Sequence, residues 1–270
     1  MRGFGEIAER LRRSTVQVFN GAARSQGSGI VWNRSGLILT AAHVARSPES
    51  EIELWDGRRL HTRVASRDPR RDLATLRVVA EDGDSPSLEP ATPGDSSALR
   101  PGELVIAVGN PLGFAGAIST GVVHSIGALP GMGRQSWISA DVQLAPGNSG
   151  GPLANAEGRV IGVNTAILHG LGVAVPVQAA LDFLRRGAAP SLGVVLRPVP
   201  LGLLLEEVDG ERAAANAGLR PGDILLTRYD WLITALDSGR PTLRLQFLRG
   251  DGQRVRETVV RLDARWEAAA

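Results

Sequence analysis

The sequence predicts a mainly β protein in two parts, a larger strand-rich portion followed by a smaller α+β portion. Three observations carry this. Short apolar runs recur between turn residues along most of the chain, with few stretches at helical spacing. The 270 residues include 33 glycines and 16 prolines, a turn-rich composition that suits β architecture better than a helical bundle. After residues 187–191 (GAAPS) the pattern restarts with a fresh β run, which puts a boundary near residue 190 and domains at 1–190 and 191–265.

The elements follow in order. Residues 4–13 place Ile7 and Leu11 four apart, one face of a helix. Strands are predicted at 29–32 (GIVW), 36–42 (GLILTAA), 74–79 (ATLRVV), 104–109 (LVIAVG), 121–127 (GVVHSIG) and 159–167 (RVIGVNTAI), a spacing that points to a sandwich or barrels. Residues 176–186 read as a second helix, with proline near the first turn and Val177, Ala180, Leu181 and Leu184 on one face. In the smaller part, strands are predicted at 192–196, 202–208, 223–226, 242–248 and 255–262. A short helix is expected within 213–219, stopped by glycine, and a longer one at 229–239.

Composition narrows the chemistry. There is no cysteine, so disulfides and thiolate metal sites are out, and no cofactor or metal is called for. The 30 basic residues are all arginine, and they are dispersed among 28 acids for a net charge of +2, which does not indicate nucleic-acid binding. No run approaches the ~18 apolar residues of a membrane span. The N-terminal MRGFGEIAERLRRSTVQVF lacks the ~7–15-residue apolar stretch of a secretory leader, so a cytoplasmic location is the default expectation.

Chemistry concentrates in DVQLAPGNSGGPLANAEGRVIGV, residues 141–163. Glycine loses the most conformational freedom on folding, so three glycines around one serine are costly unless the backbone has a task. One such task is to expose Ser149 as a nucleophile, with the Gly147 and Ser149 amides turned inward to hold developing negative charge. The stretch alone is equally compatible with a glycine-rich hairpin bearing a solvated serine. Acyl transfer by serine also needs a base and a carboxylate to orient it. His43 follows an apolar strand in LTAAHVA, and Asp72 opens the next strand in DPRRDLATLRV. Each alone reads as an ordinary partly buried histidine or strand-start aspartate. Together they stand in the order His, Asp, Ser, one of several orders in which triads occur. His61, His124 and His169 have no comparable surroundings and receive no role.

TAAHV (40–44), DLATL (72–76), GNPLG (109–113), GNSGGPL (147–153) and GLGVAVP (170–176) together resemble the HtrA/Deg family of serine endopeptidases over nearly the whole chain. The resemblance implies a chymotrypsin-like double β-barrel followed by a PDZ-like domain. It implies His43 as general base, Asp72 as its orienting carboxylate, Ser149 as nucleophile, and an oxyanion hole at Gly147, Asn148 and Ser149. Gln143 stands where Lys/Arg-preferring relatives of the fold carry an acid, with Leu144 beside it, so cleavage after small or medium apolar residues is implied. Ala145 replaces an asparagine common in the family. GLLLEEVDGERAAANAGLRPGDILL (202–226) resembles the PDZ pattern, with its carboxylate loop at Leu201, Gly202 and Leu203. Leu232 and Leu236 are placed either on a peptide groove or in an ordinary core. This PDZ-like part is abbreviated, lacking the turn and strand that usually precede the groove helix. Implied partners are unfolded polypeptides, C-terminal peptides at the PDZ part, and two further copies of the chain in a trimer, with Phe4 as an anchor and Leu104 where some members carry phenylalanine. The family is usually extracytoplasmic. The implied function is proteolytic quality control; the alternative is a non-proteolytic chaperone or binding module.

Overall fold

The computed structural model describes residues 3–19, 27–79, 87–111, 114–130, 132, 135–186, 191–210, 212–237, 240–250 and 254–262. Leu112 and Gly113 of GNPLG, residues 187–190 of the predicted boundary and residues 238–239 of the last predicted helix lie outside them. The chain divides into two compact units, Met1–Arg186 and Gly187–Ala270.

The first unit holds two closed barrels. One contains β1 (Thr15–Phe19), β2 (Gly27–Val31), β3 (Leu37–Thr40), β4 (Glu49–Glu53), β5 (Arg59–Asp68) and β6 (Leu73–Val78), closed in the order β1-β2-β3-β6-β5-β4. The other contains β7 (Leu104–Gly109), β8 (Ala117–Gly127), β9 (Trp137–Asp141), β10 (Pro152–Asn155), β11 (Val160–Leu168) and β12 (Leu171–Pro176), closed in the order β10-β11-β12-β9-β8-β7. Closure removes the unpaired edges that an open sheet would present. Each barrel fills with its own aliphatic cluster, Val16, Val18, Ile38, Ile52 and Leu76 in the first and Val105, Val123, Ile138, Leu153 and Ile161 in the second. This mainly β architecture of paired barrels is the one expected.

Two helices complete the unit. Helix α1 (Phe4–Arg13) buries Leu11 against Ile106, Val108 and Ala154 of the second barrel, with Ile7 alongside. Its polar face is tied by Glu9, which pairs with Arg12 at 2.8 Å and Arg13 at 2.9 Å. Both guanidiniums in turn lie over the Trp55 ring. Helix α2 (Val177–Arg186) buries Val177, Ala180 and Phe183. Pro176 ends β12 rather than opening the helix, because its residue still pairs with Gly162 in the ladder.

The second unit is an antiparallel sheet of β13 (Val194–Val199), β14 (Gly202–Val208), β15 (Ile224–Leu225), β16 (Thr242–Leu248) and β17 (Val255–Arg261), in that order, with helices α3 (Ala213–Asn216) and α4 (Tyr229–Asp237). Leu203, Leu205, Leu225, Leu232, Leu236, Leu245 and Phe247 make its core. Of the two readings of Leu232 and Leu236, the buried core position is the observed one.

Candidate active site

His43 owes its position to the alanines around it. After β3 the chain makes one tight turn, with Val44 N–H donating to Ala41 O at 3.1 Å and Ala45 N–H to the same carbonyl at 3.2 Å. Ala41, Ala42, Val44 and Ala45 are all buried in that turn, and His43 is the residue left facing outward. Asp72 arrives by strand register. Thr40 pairs with Ala74 across the antiparallel β3–β6 ladder, so the residue just before β6 falls beside the turn just after β3. Asp72 sits at φ +54°, a left-handed conformation that aspartate tolerates better than most residues.

The carboxylate grips the imidazole from two directions. Asp72 Oδ2 is 2.8 Å and Oδ1 3.0 Å from His43 Nδ1, and Oδ1 also accepts the His43 backbone N–H at 3.0 Å. Burial pushes the Asp72 carboxyl up, but hydrogen bonds from His43 and Thr165 outweigh it and hold the group below its usual value. An ionised carboxylate only accepts, so Nδ1 carries a proton, and the tautomer that leaves a lone pair on Nε2 is the one this contact selects. That is the form a general base needs.

Ser149 lies in the loop between β9 and β10. The loop is clamped by Gly150 N–H to Asn164 O at 2.7 Å, Asn164 N–H to Gly151 O at 2.9 Å, and Ser28 N–H to Ser149 O at 2.8 Å. Gly147 and Gly150 adopt φ of +108° and +85°. A Cβ on Gly150 would run into the Ser28 carbonyl and Thr40 Oγ1, so both conformation and space demand glycine there. Among the described residues the Gly147 and Ser149 N–H groups have no hydrogen-bond acceptor, whereas Asn148 N–H between them donates to Ala145 O at 3.0 Å. Two free donors flanking a hydroxyl make an anion-holding nook. The Asn148 side chain is buried and packs against Gly109.

Thr165 joins the three residues, and sequence reasoning missed it. It sits at an irregularity of β11, where pairing to β12 shifts between Asn164 and Ala166. Its hydroxyl donates to Asp72 Oδ2, and its carbonyl accepts Ser149 Oγ–H at 3.0 Å. Among the described residues no hydrogen bond joins Ser149 to His43 directly, so the hydroxyl must rotate from Thr165 O toward Nε2 to be deprotonated. Loose nucleophile–base contacts are common before substrate binds.

The remaining candidates separate. Leu144 is half-buried and, with Val142, lies where a Cβ on Gly172 would meet it, while Gln143 is exposed. His61 is exposed beside Glu51 at 3.6 Å, and His124 and His169 are exposed on β8 and at the β11–β12 turn. No group of three or more His, Asp or Glu side chains suited to a metal occurs among the described residues. In the second unit, Leu201 is exposed at the β13–β14 turn, and Gly202 and Leu203 begin β14. Leu203 pairs with both Pro198 of β13 and Leu225 of β15, so at this residue the strand has no free edge on which to add a peptide. The open edges of this sheet are β13 and β17. No helix of the described residues is long and apolar enough to cross a membrane.

A model of the trypsin-like peptidase domain matches residues 27–163. In sequence the chain is 36% identical over 247 residues to a probable periplasmic DegP-like serine endoprotease of Hahella chejuensis, covering 82% of this chain and 51% of that protein. It is 36% identical over 236 residues to the putative serine protease HhoB of Synechocystis sp., covering 74% and 55%. The chain thus spans about half the length of these relatives. In structure it is similar to the HtrA-type protease AlgW with decapeptide, at TM-score 0.65 and 24% identity over 97% of this chain and 98% of that one. The serine endoprotease from Yersinia pestis gives the same values. At that identity the likeness speaks for the fold, which is the double barrel followed by a smaller unit.

Proposed function

The chain belongs to the trypsin-like peptidase family, and we propose that it is a serine endopeptidase that cleaves unfolded or damaged polypeptides after small or medium apolar residues. His43 Nε2 takes the Ser149 proton as Oγ attacks the scissile carbonyl. The carbonyl oxygen, now negative, moves toward the Gly147 and Ser149 amides, and Asp72 steadies the imidazolium that forms. Collapse releases the amine with the proton from His43. Water, activated by the same base, then hydrolyses the acyl-enzyme. The observation that carries this reading is the pairing of two acceptor-free amides beside Ser149 with an imidazole whose Nδ1 is bound to an ionised carboxylate. It is tested by following hydrolysis of a chromogenic peptide and of casein by wild type and Ser149→Ala.

Leu144 against Gly172, with no carboxylate at Gln143, supports an apolar rather than a basic specificity pocket. Residues 1–190 form the protease part in this reading and 191–265 a PDZ-like part, whose open edge for a C-terminal peptide is β13 rather than the Leu201–Gly202–Leu203 segment. The relatives are named as periplasmic DegP-like endoproteases, and an extracytoplasmic role in protein quality control is proposed here on that basis. A homotrimer is proposed in line with the family resemblance, using the exposed Phe4 and Leu104.

A further inference from the structure

Three consecutive peptide groups form the floor of the nook beside Ser149, and the middle one is tied at both ends. Its carbonyl, Gly147 O, accepts a hydrogen bond from Ser28 Oγ at 2.7 Å. Its N–H, on Asn148, donates to Ala145 O at 3.0 Å. The groups on either side contribute the two acceptor-free amides. A peptide unit is planar, so fixing its carbonyl fixes its plane, and the neighbouring units can then turn only about the flanking φ and ψ. Gly147, at φ +108°, is the residue at which such a turn costs least. Without the tie, rotation there would carry the Gly147 N–H out of the nook.

The tie crosses from one barrel to the other. Ser28 is in β2 of the first barrel and is fully buried at 0% exposure. Its Oγ accepts the Asn110 backbone N–H at 2.9 Å and Asn110 Nδ2–H at 3.2 Å. A hydroxyl has one proton and two lone pairs. With both lone pairs facing donors, the proton has one direction left, toward Gly147 O. Asn110 follows β7 of the second barrel and is locked in turn: Nδ2 donates to Val16 O at 3.0 Å, and Oδ1 accepts the Gly116 N–H at 2.8 Å. The Ser28 backbone is held from both sides as well, donating to Ser149 O at 2.8 Å and accepting from Thr40 Oγ1 at 2.6 Å. A buried serine with all its capacity used, two of its bonds reaching the nucleophile loop, exceeds what packing of a small residue requires.

We propose that Ser28, aligned by Asn110, is a positioning residue that sets the orientation of the Gly147–Asn148 peptide and with it the two amides that hold the oxyanion. The inference rests on the serine-peptidase reading above. The test compares Ser28→Ala with wild type in the full chain. The control is Ser50→Ala, which breaks another buried hydroxyl pair, Ser50 with Thr62 at 2.8 Å, away from the nucleophile loop. Kinetics on a chromogenic peptide and inhibition by a peptide aldehyde, whose adduct carries an oxyanion, are read beside thermal melts.

Ser28→Ala should lower kcat roughly ten- to a hundredfold with KM within about threefold, and weaken the aldehyde by the same factor as kcat. Ser50→Ala should shift the melt and leave kcat unchanged. Asn110→Asp is the second variant. Its carboxylate draws the Ser28 proton away from Gly147 O, so kcat should fall although the hydroxyl remains. The inference is overturned if kcat stays within about twofold, if the loss lies in KM, if both serine variants lose kcat in step with stability, or if neither Ser28→Ala nor Asn110→Asp folds. Wild type that hydrolyses nothing would overturn the parent reading instead. Active wild type, dead Ser149→Ala and unaffected Ser28→Ala would overturn this inference alone.

Discussion

Replacing Asp72 by asparagine isolates what the carboxylate does. Asparagine is as comfortable as aspartate at φ +54°, so the backbone should hold. The hydrogen bonds then dictate how the new amide sits. Oδ1 of Asp72 accepts the His43 backbone N–H at 3.0 Å, and an amide NH₂ there would set donor against donor. The amide therefore keeps its oxygen at that position and places NH₂ where Oδ2 was, 2.8 Å from Nδ1. The Thr165 hydroxyl can turn and accept, but an NH₂ at 2.8 Å opposes a proton on Nδ1, with only the longer 3.0 Å contact to Oδ1 favouring one, so the ring proton shifts toward Nε2. A histidine protonated at Nε2 cannot take the Ser149 proton. The expected cost is on the order of 10⁴ in kcat, about 5.5 kcal/mol of barrier at 1.36 kcal/mol per decade, with a native circular dichroism spectrum. Steady-state kinetics on a chromogenic peptide ending in valine or alanine measures it. A loss smaller than about tenfold would refute both the tautomer reasoning and the role of Asp72.

Gly150→Ala sets a Cβ against the Ser28 carbonyl and Thr40 Oγ1 at a left-handed φ, so chemical denaturation should register a loss of about 2–5 kcal/mol, and less than about 1 would contradict the crowding. Glu9 is held down to about 2 from its ordinary 4.5 by hydrogen bonds from Arg12 and then Arg13. A depressed carboxylate contributes stability above its unfolded value that is lost as pH falls toward its folded one. Glu9→Gln should therefore melt lower than wild type near neutrality, by no more than about 1 kcal/mol for so exposed a pair, and the gap should close between pH 4.5 and 2. A gap that is constant with pH would contradict the pairing. In a peptide library, valine, alanine or leucine before the cut should exceed arginine by at least about tenfold in kcat/KM, and an arginine preference would refute the pocket reading.

Much of the fold and of the candidate site was legible, for reasons that differ by residue. His43, Asp72 and Ser149 each sit in a local pattern that constrains the backbone: alanines packing a tight turn, an acid opening a strand, glycines at positive φ. Such patterns are visible within a few residues. Thr165, Ser28 and Asn110 are different. Ser28 meets Gly147 across 119 residues and Asn110 across 82. Their importance comes from barrel closure and strand register, and a threonine or serine in a β run carries no mark of its partner. The Leu201–Gly202–Leu203 segment shows the opposite hazard. Glycine before an apolar strand suggested a carboxylate loop, but whether a strand has a free edge depends on sheet order, and β14 is paired on both sides at Leu203 and Leu204.

The central claim is that Ser149 is a nucleophile activated by its surroundings. Labelling the intact protein with a fluorophosphonate, followed by peptide mapping, tests it most directly. One adduct on Ser149 is expected, absent in Ser149→Ala and strongly slowed in His43→Ala, which retains the hydroxyl and loses the base. An unlabelled Ser149, or labelling as fast in His43→Ala as in wild type, would contradict the claim.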